Sequence, residues 1–331
     1  MMQKTRIYTV FTSSGLQREN LIYKKYHPEQ KILSNEEILQ KIKEKYPGVE
    51  FLGSTVPENS VYAIGNIVNM KKDIDGILYF GSPPEELVSL DVPIIAVHLL
   101  WGRWQHSFYF YRNKKVLSHC IPIIPDRSER VFNSRFEKVA DDIRLIQAIS
   151  KMKGLRVLVV TDKPILGEYE PTYEQYKDEG WEEYQRRYIS NLSELGVSLI
   201  VRPQSEMVER MKTADDAKAE EIARKWISEA AGIKGMNEIE IKKSAKLYLA
   251  MKEMMQVYKA DAITTEGYTI FQYYKDGPIP SQGMPSSHFL TEGVVATSET
   301  LIDSLITQQF GLWITGSPGF SGDFIIDPDN N

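Results

Sequence analysis

Short runs of apolar, β-branched residues alternate with longer amphipathic stretches along most of this 331-residue chain. That alternation constrains the fold more than any other feature, because it is what βαβ units stacked into a parallel sheet require. In the first half "RIYTVFT" (6–12) reads as a strand and "NEEILQKIKEKY" (35–46) as a helix opened near Ser34. A second strand, "VEFLGS" (49–54), precedes the helix "ENSVYAIGNIVNMKKD" (58–73), and two more strands follow at "GILYFGS" (76–82) and "VPIIAVHLL" (92–100). The long helical pattern 135–154 leads into "LRVLVVTDKP" (155–164), where a second series begins.

That series runs through a helix at 179–196, a strand at 197–203, helical stretches within 204–231 and 237–259, and strands at 260–267 and 293–298. It ends in a helix at 299–313, while the Pro, Gly and Ser-rich segment 273–288 reads as a loop. The expected architecture is α/β: two consecutive three-layer (αβα) Rossmann-like domains with mainly parallel sheets, an N-terminal one over 1–152 and a central one over 153–331. Ligands of such sheets sit beyond the carboxyl ends of the strands.

Composition excludes several classes of function. No apolar run approaches the ~20 residues that span a bilayer, and "MMQKTRIYTVFTSS" lacks the apolar core of a signal peptide. A cytoplasmic protein without a membrane partner is expected. The net charge of −5 and the scattered Lys and Arg residues argue against nucleic acid, whose phosphates need a clustered basic surface. Cys120 is the only cysteine, which leaves no intramolecular disulfide and no cysteine-based zinc site. A metal would have to use oxygen and imidazole ligands.

Nucleotide-binding signatures are missing: no G-x-G-x-x-G follows the first strand, and no G-x-x-x-x-G-K-[ST] occurs. Ser286 and His288 lack the nucleophile elbow that would support a hydrolase. Met251, Met254 and Met255 read as core packing and the charged run 215–225 as a solvated helix face. His98, Trp101, Trp104 and His106 lie just beyond an apolar strand, where they would line either a ligand mouth or a subunit contact. Three carboxylates also follow strand-like runs: Glu266 after "ADAITT", Glu299 after "GVVATS" and Asp323 after "GSPGFSG".

The run "SSHFLTEGVVATSETLIDSLITQQFGLWITGSPGFSGD" (286–323) resembles the substrate and metal segment of the L-fucose isomerase-like family, relatives of the L-arabinose isomerases. In that family a strand ends in a metal-binding Glu, a helix follows, and a Gly-x-Pro turn leads to a metal-binding Asp. Those positions fall here on Glu299, on Gly316, Ser317 and Pro318, and on Asp323, the two acids being 24 positions apart. The lead-in "LYLAMKEMMQVYKADAIT" resembles the family's helix into a buried strand, and Glu266 falls about where the family has a polar substrate contact.

The resemblance covers roughly residues 245–327 and implies an aldose–ketose isomerase working through a cis-enediol. It further implies a divalent metal, usually Mn2+, on Glu299 and Asp323, with both carboxylates placed for proton transfer. A small-molecule sugar held also by Glu266, His98, Trp101 and Trp104 is expected, in a homo-oligomer. The family's metal set includes a later His from a further domain, which has no counterpart in this sequence. His288 would reach the site only if the segment 273–288 folded over the sheet edge. Three readings follow: the amino-terminal and central domains of a ketol isomerase, a non-catalytic cytosolic carbohydrate-binding or regulatory relative, or an interaction protein whose aromatic 98–111 segment is an oligomer interface.

Overall fold

The computed structural model describes residues 4–12, 25–26, 28–29, 34–56, 59–98, 116–120, 125–163, 165, 180–235, 237–266, 280, 282–298, 300–317 and 319. The chain divides into two compact units, Met1–Lys151 and Met152–Asn331. Each is an α/β layer structure with one wholly parallel sheet among the described residues.

In the first unit the described elements are β1 (Thr5–Phe11), α1 (Asn35–Lys45), β2 (Val49–Gly53), α2 (Ser60–Met70), β3 (Gly76–Phe80), α3 (Glu85–Val88), β4 (Ile94–His98), β5 (Val116–Cys120) and α4 (Pro125–Met152). The sheet order is β2-β1-β3-β4-β5. Alternation along β1 explains the layering. Ile7 and Phe11 join Ile38, Leu39 and Ile42 of α1 and Val139, Ile143 and Ile146 of α4 on one face. Tyr8 and Val10 join Ala63 and Ile67 of α2 and Leu87 of α3 on the other. Strands covered on both faces must be apolar throughout, and β3 is buried at every position.

The starts of the helices follow capping chemistry. Ser34 and Glu37 form a reciprocal capping box at α1, and Asn59 accepts the Val61 N–H at α2. Two features depart from the sequence reading. "VLSHC" forms the edge strand β5, tied to α4 by the pair His119–Asp142. The long helix α4 begins at Pro125, ten residues before the apolar periodicity at 135. Proline at the first helical position loses no hydrogen bond there.

The second unit contains β6 (Arg156–Val160), α5 (Trp181–Glu194), β7 (Ser198–Arg202), α6 (Gln204–Thr213), α7 (Asp216–Glu229), α8 (Glu238–Tyr258), β8 (Ala262–Thr265), α9 (Gly283–Thr291), β9 (Ala296–Ser298) and α10 (Ile302–Thr315). Its sheet order is β7-β6-β8-β9, the same winding as the first four strands of the other sheet. Leu158, Val160 and Ile263 face α6, α8 and α9, where Met251, Met254 and Met255 are core residues as expected. Val157, Val159 and Ala262 face Leu192 of α5 and Ile302 and Leu305 of α10. Of α7, Ala219 and Ala223 are buried against Ile241 and Ala245 of α8, and the charged positions around them face outward.

The same clasp closes the amino edge of both sheets. Arg6 in β1 and Asp75, just before β3, exchange bonds: the Arg6 N–H donates to Asp75 Oδ2 (2.9 Å) and the Asp75 N–H to the Arg6 carbonyl (2.7 Å). Arg156 in β6 and Asp261, just before β8, do likewise at 3.0 and 2.8 Å. Each guanidinium then donates to carbonyls of the turn that closes the preceding helix, Asp73 for Arg6 and Tyr258 and Lys259 for Arg156. These carbonyls lack intrahelical partners, so the arginine serves as a C-cap from another element.

No helix among the described residues is long and apolar enough to cross a membrane.

Candidate functional site

The strand order of the second sheet reverses direction at β6, whose neighbours are β7 on one side and β8 on the other. Ligands of open α/β sheets bind beyond the carboxyl ends at this kind of crossover. Glu266 is the first residue after β8. Its backbone N–H continues the ladder to the Val160 carbonyl at 3.1 Å, so the carboxylate leaves the sheet at a fixed level.

Both carboxylate oxygens are engaged by the turn after β6. The Thr161 hydroxyl donates to Oε2 at 2.9 Å, and the Lys163 ammonium lies 3.1 Å from Oε1. The Lys163 N–H in turn donates to the Thr161 hydroxyl at 3.0 Å, which closes a ring of three residues. The side chains differ in access: Glu266 is 13% exposed and Lys163 33%. An exposed ion pair is worth ~0–1 kcal/mol, whereas stripping one partner from a buried pair costs ~3–5 kcal/mol. The Lys163–Glu266 pair lies between these limits, with its cationic end toward solvent.

The exit of β7 is locked into the same cluster. α6 starts after Pro203, which offers no side-chain cap, and Asp162 from the β6 turn accepts the Gln204 N–H at 3.1 Å instead. A carboxylate there also suits the positive end of the helix dipole. The fully buried Gln204 side chain donates through Nε2 to the Glu266 carbonyl at 3.0 Å. Beside Glu266, the Thr265 hydroxyl donates to Gln282 Oε1 at 3.0 Å, and the Thr297 hydroxyl donates to that of Thr264 at 2.9 Å. The exits of β6, β7 and β8 are therefore interlocked through Asp162 and Glu266.

Thr265 and Ser298 are register partners in β8 and β9. They are also the residues directly before Glu266 and Glu299 in the chain. Glu299, Asp323, Trp101, Trp104 and the side chain of His98 lie outside the described residues. Among the described residues no group of three His, Cys, Asp or Glu side chains could hold a metal ion. Thr300 is buried with φ 55°, a left-handed conformation that a β-branched residue rarely adopts. The helix expected from Glu299 starts instead at Ile302. Leu301 cannot cap it, and Tyr188 of α5 fills that role, its hydroxyl accepting the Asp303 N–H at 2.9 Å. Burial, together with the Asp303 carboxylate, pushes the Tyr188 phenol well above its usual range.

One expectation is corrected. The loop reading of 273–288 fails from Gly283 onward, where α9 forms with Pro285 in its first turn. His288 consequently occupies the last turn of α9, toward the amino end of β9 and away from Glu266. There it accepts the Trp226 indole N–H on Nδ1 at 3.2 Å and stacks edge-on with Tyr248 at 4.7 Å. Beside it, Lys252 and the Tyr248 hydroxyl both reach Glu292 Oε1, each at 2.8 Å. Burial lowers the His288 pKa below its ordinary 6.5, helped by Lys225 and Lys252 and opposed by Glu292 and Glu229.

The sign of the resulting pH effect is fixed. The unfolded chain takes up a proton on this histidine near pH 6.5, and the folded chain takes it up only at lower pH. The stability contributed by neutral His288 is complete above pH 6.5 and is lost as the pH falls through the lowered folded value. The melting midpoint of the wild type is expected to drop faster between pH 6.5 and 5 than that of His288→Gln, whose amide oxygen still accepts from Trp226. Parallel curves would remove His288 from the acid response.

Sequence reasoning singled out Glu266 but missed Thr161, Asp162, Lys163, Gln204 and Gln282. "TDK" directly after "VLVV" carried the same strand-end signal as Glu266. Neither glutamine is flagged by any pattern in the sequence.

No protein-family model matches this chain, and no curated protein matches it. Among solved structures, a two-component system response regulator/GGDEF domain protein is similar over 95% of this chain and 99% of its own, at 11% identity and a TM-score of 0.31. A likeness of that size says nothing about function.

Proposed function

We propose that the chain carries the amino-terminal and central domains of a metal-dependent aldose–ketose isomerase of the L-fucose isomerase type, with the sugar bound at the carboxyl edge of the second sheet. The observation that supports this reading best is the anchoring of Glu266 at the β6/β8 crossover by Thr161 and Lys163. Register adds to it, because the residues preceding Glu266 and Glu299 are paired.

Isomerisation moves a proton between neighbouring sugar carbons while negative charge develops on their oxygens. A carboxylate held in one orientation is suited to accept hydrogen bonds from sugar hydroxyls, and Glu266 has acceptor capacity beyond the two partners it has among the described residues. A second carboxylate within reach of a carbon-bound proton serves as the base, the role proposed for Glu299 and Asp323. Carboxylate oxygens are hard donors and fit Mn2+ in kind, so the same two residues would hold it. The ion, when bound, polarises the sugar oxygens. A cytoplasmic homo-oligomer acting on a free sugar, with neither nucleic acid nor membrane as partner, completes the proposal.

The test is aldose–ketose interconversion over a panel of free aldoses, with and without Mn2+, in the wild type and in Glu299→Gln and Asp323→Asn. Mn2+-dependent turnover lost in both variants is the expected result. Metal-independent turnover, or variants as active as the wild type, would overturn the chemistry. Sugar binding without turnover would instead favour the non-catalytic carbohydrate-binding relative.

A further inference from the structure

A helix that is apolar all round is ordinarily buried all round. The sequence of α2, "SVYAIGNIVNM", contains no charged residue, whereas every other described helix of ten or more residues has at least one. Ala63 and Ile67 fill its inner face. On the outer face, however, Val61 is 70% exposed, Tyr62 75% and Val68 48%. Gly65 stands among them, and a Cβ added there would meet nothing within 4 Å. Glycine in a helix interior costs ~1 kcal/mol relative to alanine, and no neighbour in the chain's own fold requires it.

The outer face is symmetric about that glycine. Tyr62 and Val68 lie three positions to either side of Gly65, and Glu58 and Lys72 seven positions to either side. Steps of three and seven return to one face of a helix, and the C-cap Lys71 keeps helical dihedrals, so the stripe runs on to Lys72. We propose that α2 is the face on which two copies of this chain associate, their α2 helices antiparallel about a two-fold axis at Gly65. Such a crossing sets Tyr62 of one copy against Val68 of the other and the Glu58 end against the Lys72 end. The glycine lets the two backbones approach closely. A second copy is the occupant that fits, because a two-fold interface must complement itself. Chains of net charge −5 repel one another, but this face presents to its own image only uncharged side chains and ends of opposite sign. The inference gives a surface to the homo-oligomer proposed above and uses none of the isomerase chemistry.

Sedimentation equilibrium of the full chain is expected to show monomer and dimer with a Kd on the order of 10 μM, since one helix pair buries less than the ~1,200 Å2 of a stable complex. Gly65→Glu is expected to raise that Kd by about tenfold or more, by placing like charges at the crossing. Its urea midpoint, taken on dilute monomeric protein, should not fall, because glutamate is the better helix former. Lys72→Glu should raise the Kd about fivefold through the loss of two exposed ion pairs, and Glu58→Lys combined with Lys72→Glu should restore it. A chain that stays monomeric up to ~300 μM, well above the expected Kd, overturns the proposal. So does a dimer indifferent to Gly65→Glu, or a charge-swapped double variant no tighter than Lys72→Glu alone. Aldose turnover is a separate reading: a dimer without turnover sinks the isomerase alone, and turnover by a monomer sinks this interface and leaves the chemistry standing.

Discussion

Under the proposed isomerase reading, Glu266→Gln is expected to reduce kcat/KM for the best aldose by about 100-fold or more, which corresponds to ~3 kcal/mol of lost transition-state stabilisation. The amide keeps an oxygen for the Thr161 hydroxyl but presents an N–H2 group to sugar hydroxyls or to the Lys163 ammonium. Lys163→Met tests the other half of the pair. With Lys163 removed, Glu266 retains only the Thr161 bond among the described residues, and a carboxylate free to turn loses the orientation on which positioning depends. The single Lys163→Met variant is expected to raise KM and lower kcat together. Because the two side chains act as one unit, the double variant should be no worse than the poorer single one. Strictly additive losses would show that Lys163 acts independently of Glu266. Denaturation of the same proteins separates the two roles: a staple alone would lower stability and leave kcat and KM unchanged.

Gly53→Ala should be the most damaging single methyl in the first unit. Gly53 ends β2 with φ 89°, and a Cβ there would lie 2.2 Å from the Thr9 carbonyl oxygen. That oxygen belongs to the backbone of β1, which is paired with β3 on its other side, so it cannot retreat without breaking the centre of the sheet. Conformational strain of ~1–2 kcal/mol adds to the clash, for an expected total of about 3 kcal/mol or more. Against a domain stability of ~5–15 kcal/mol this approaches unfolding. Gly65 is the internal control. It lies in α2 with nothing within 4 Å of the added carbon, and alanine there should stabilise by ~1 kcal/mol. Urea curves for the two variants should move in opposite directions; a Gly53→Ala midpoint equal to that of the wild type would remove the argument.

Strands buried on both faces were legible because burial requires an unbroken apolar run, as in "GILYF" and "RVLVV". Helices with a capping box at their start, such as the one after Ser34, were equally plain. β5 escaped because an edge strand needs less apolar character, and Ser118 and His119 interrupt its pattern. α9 escaped because Gly283, Pro285 and two serines mimic a loop, although the first turn of a helix tolerates proline. Of the site, the strand-end carboxylate Glu266 could be read from the chain, since that depends on local order alone. The Thr161–Lys163–Glu266 ring and the Gln204 bond join residues about 40 to 100 positions apart. Contacts of that span exist only once the sheet has formed.

The clasps of Arg6 with Asp75 and of Arg156 with Asp261 carry a consequence for how each sheet is set in register. No sequence repeat links the two halves, yet both wind their strands in one order and fasten the third strand to the first with the same arginine and aspartate. The recurrence has a physical reading: in both units the bonds tie the start of the crossover strand to the central strand beside it, which fixes their register before the rest of the sheet is added. The carboxyl edges differ: Gly81 follows β3 where Glu266 follows β8. The end that fixes the register is the same in both units, and the opposite end is the one at which they differ in side-chain chemistry.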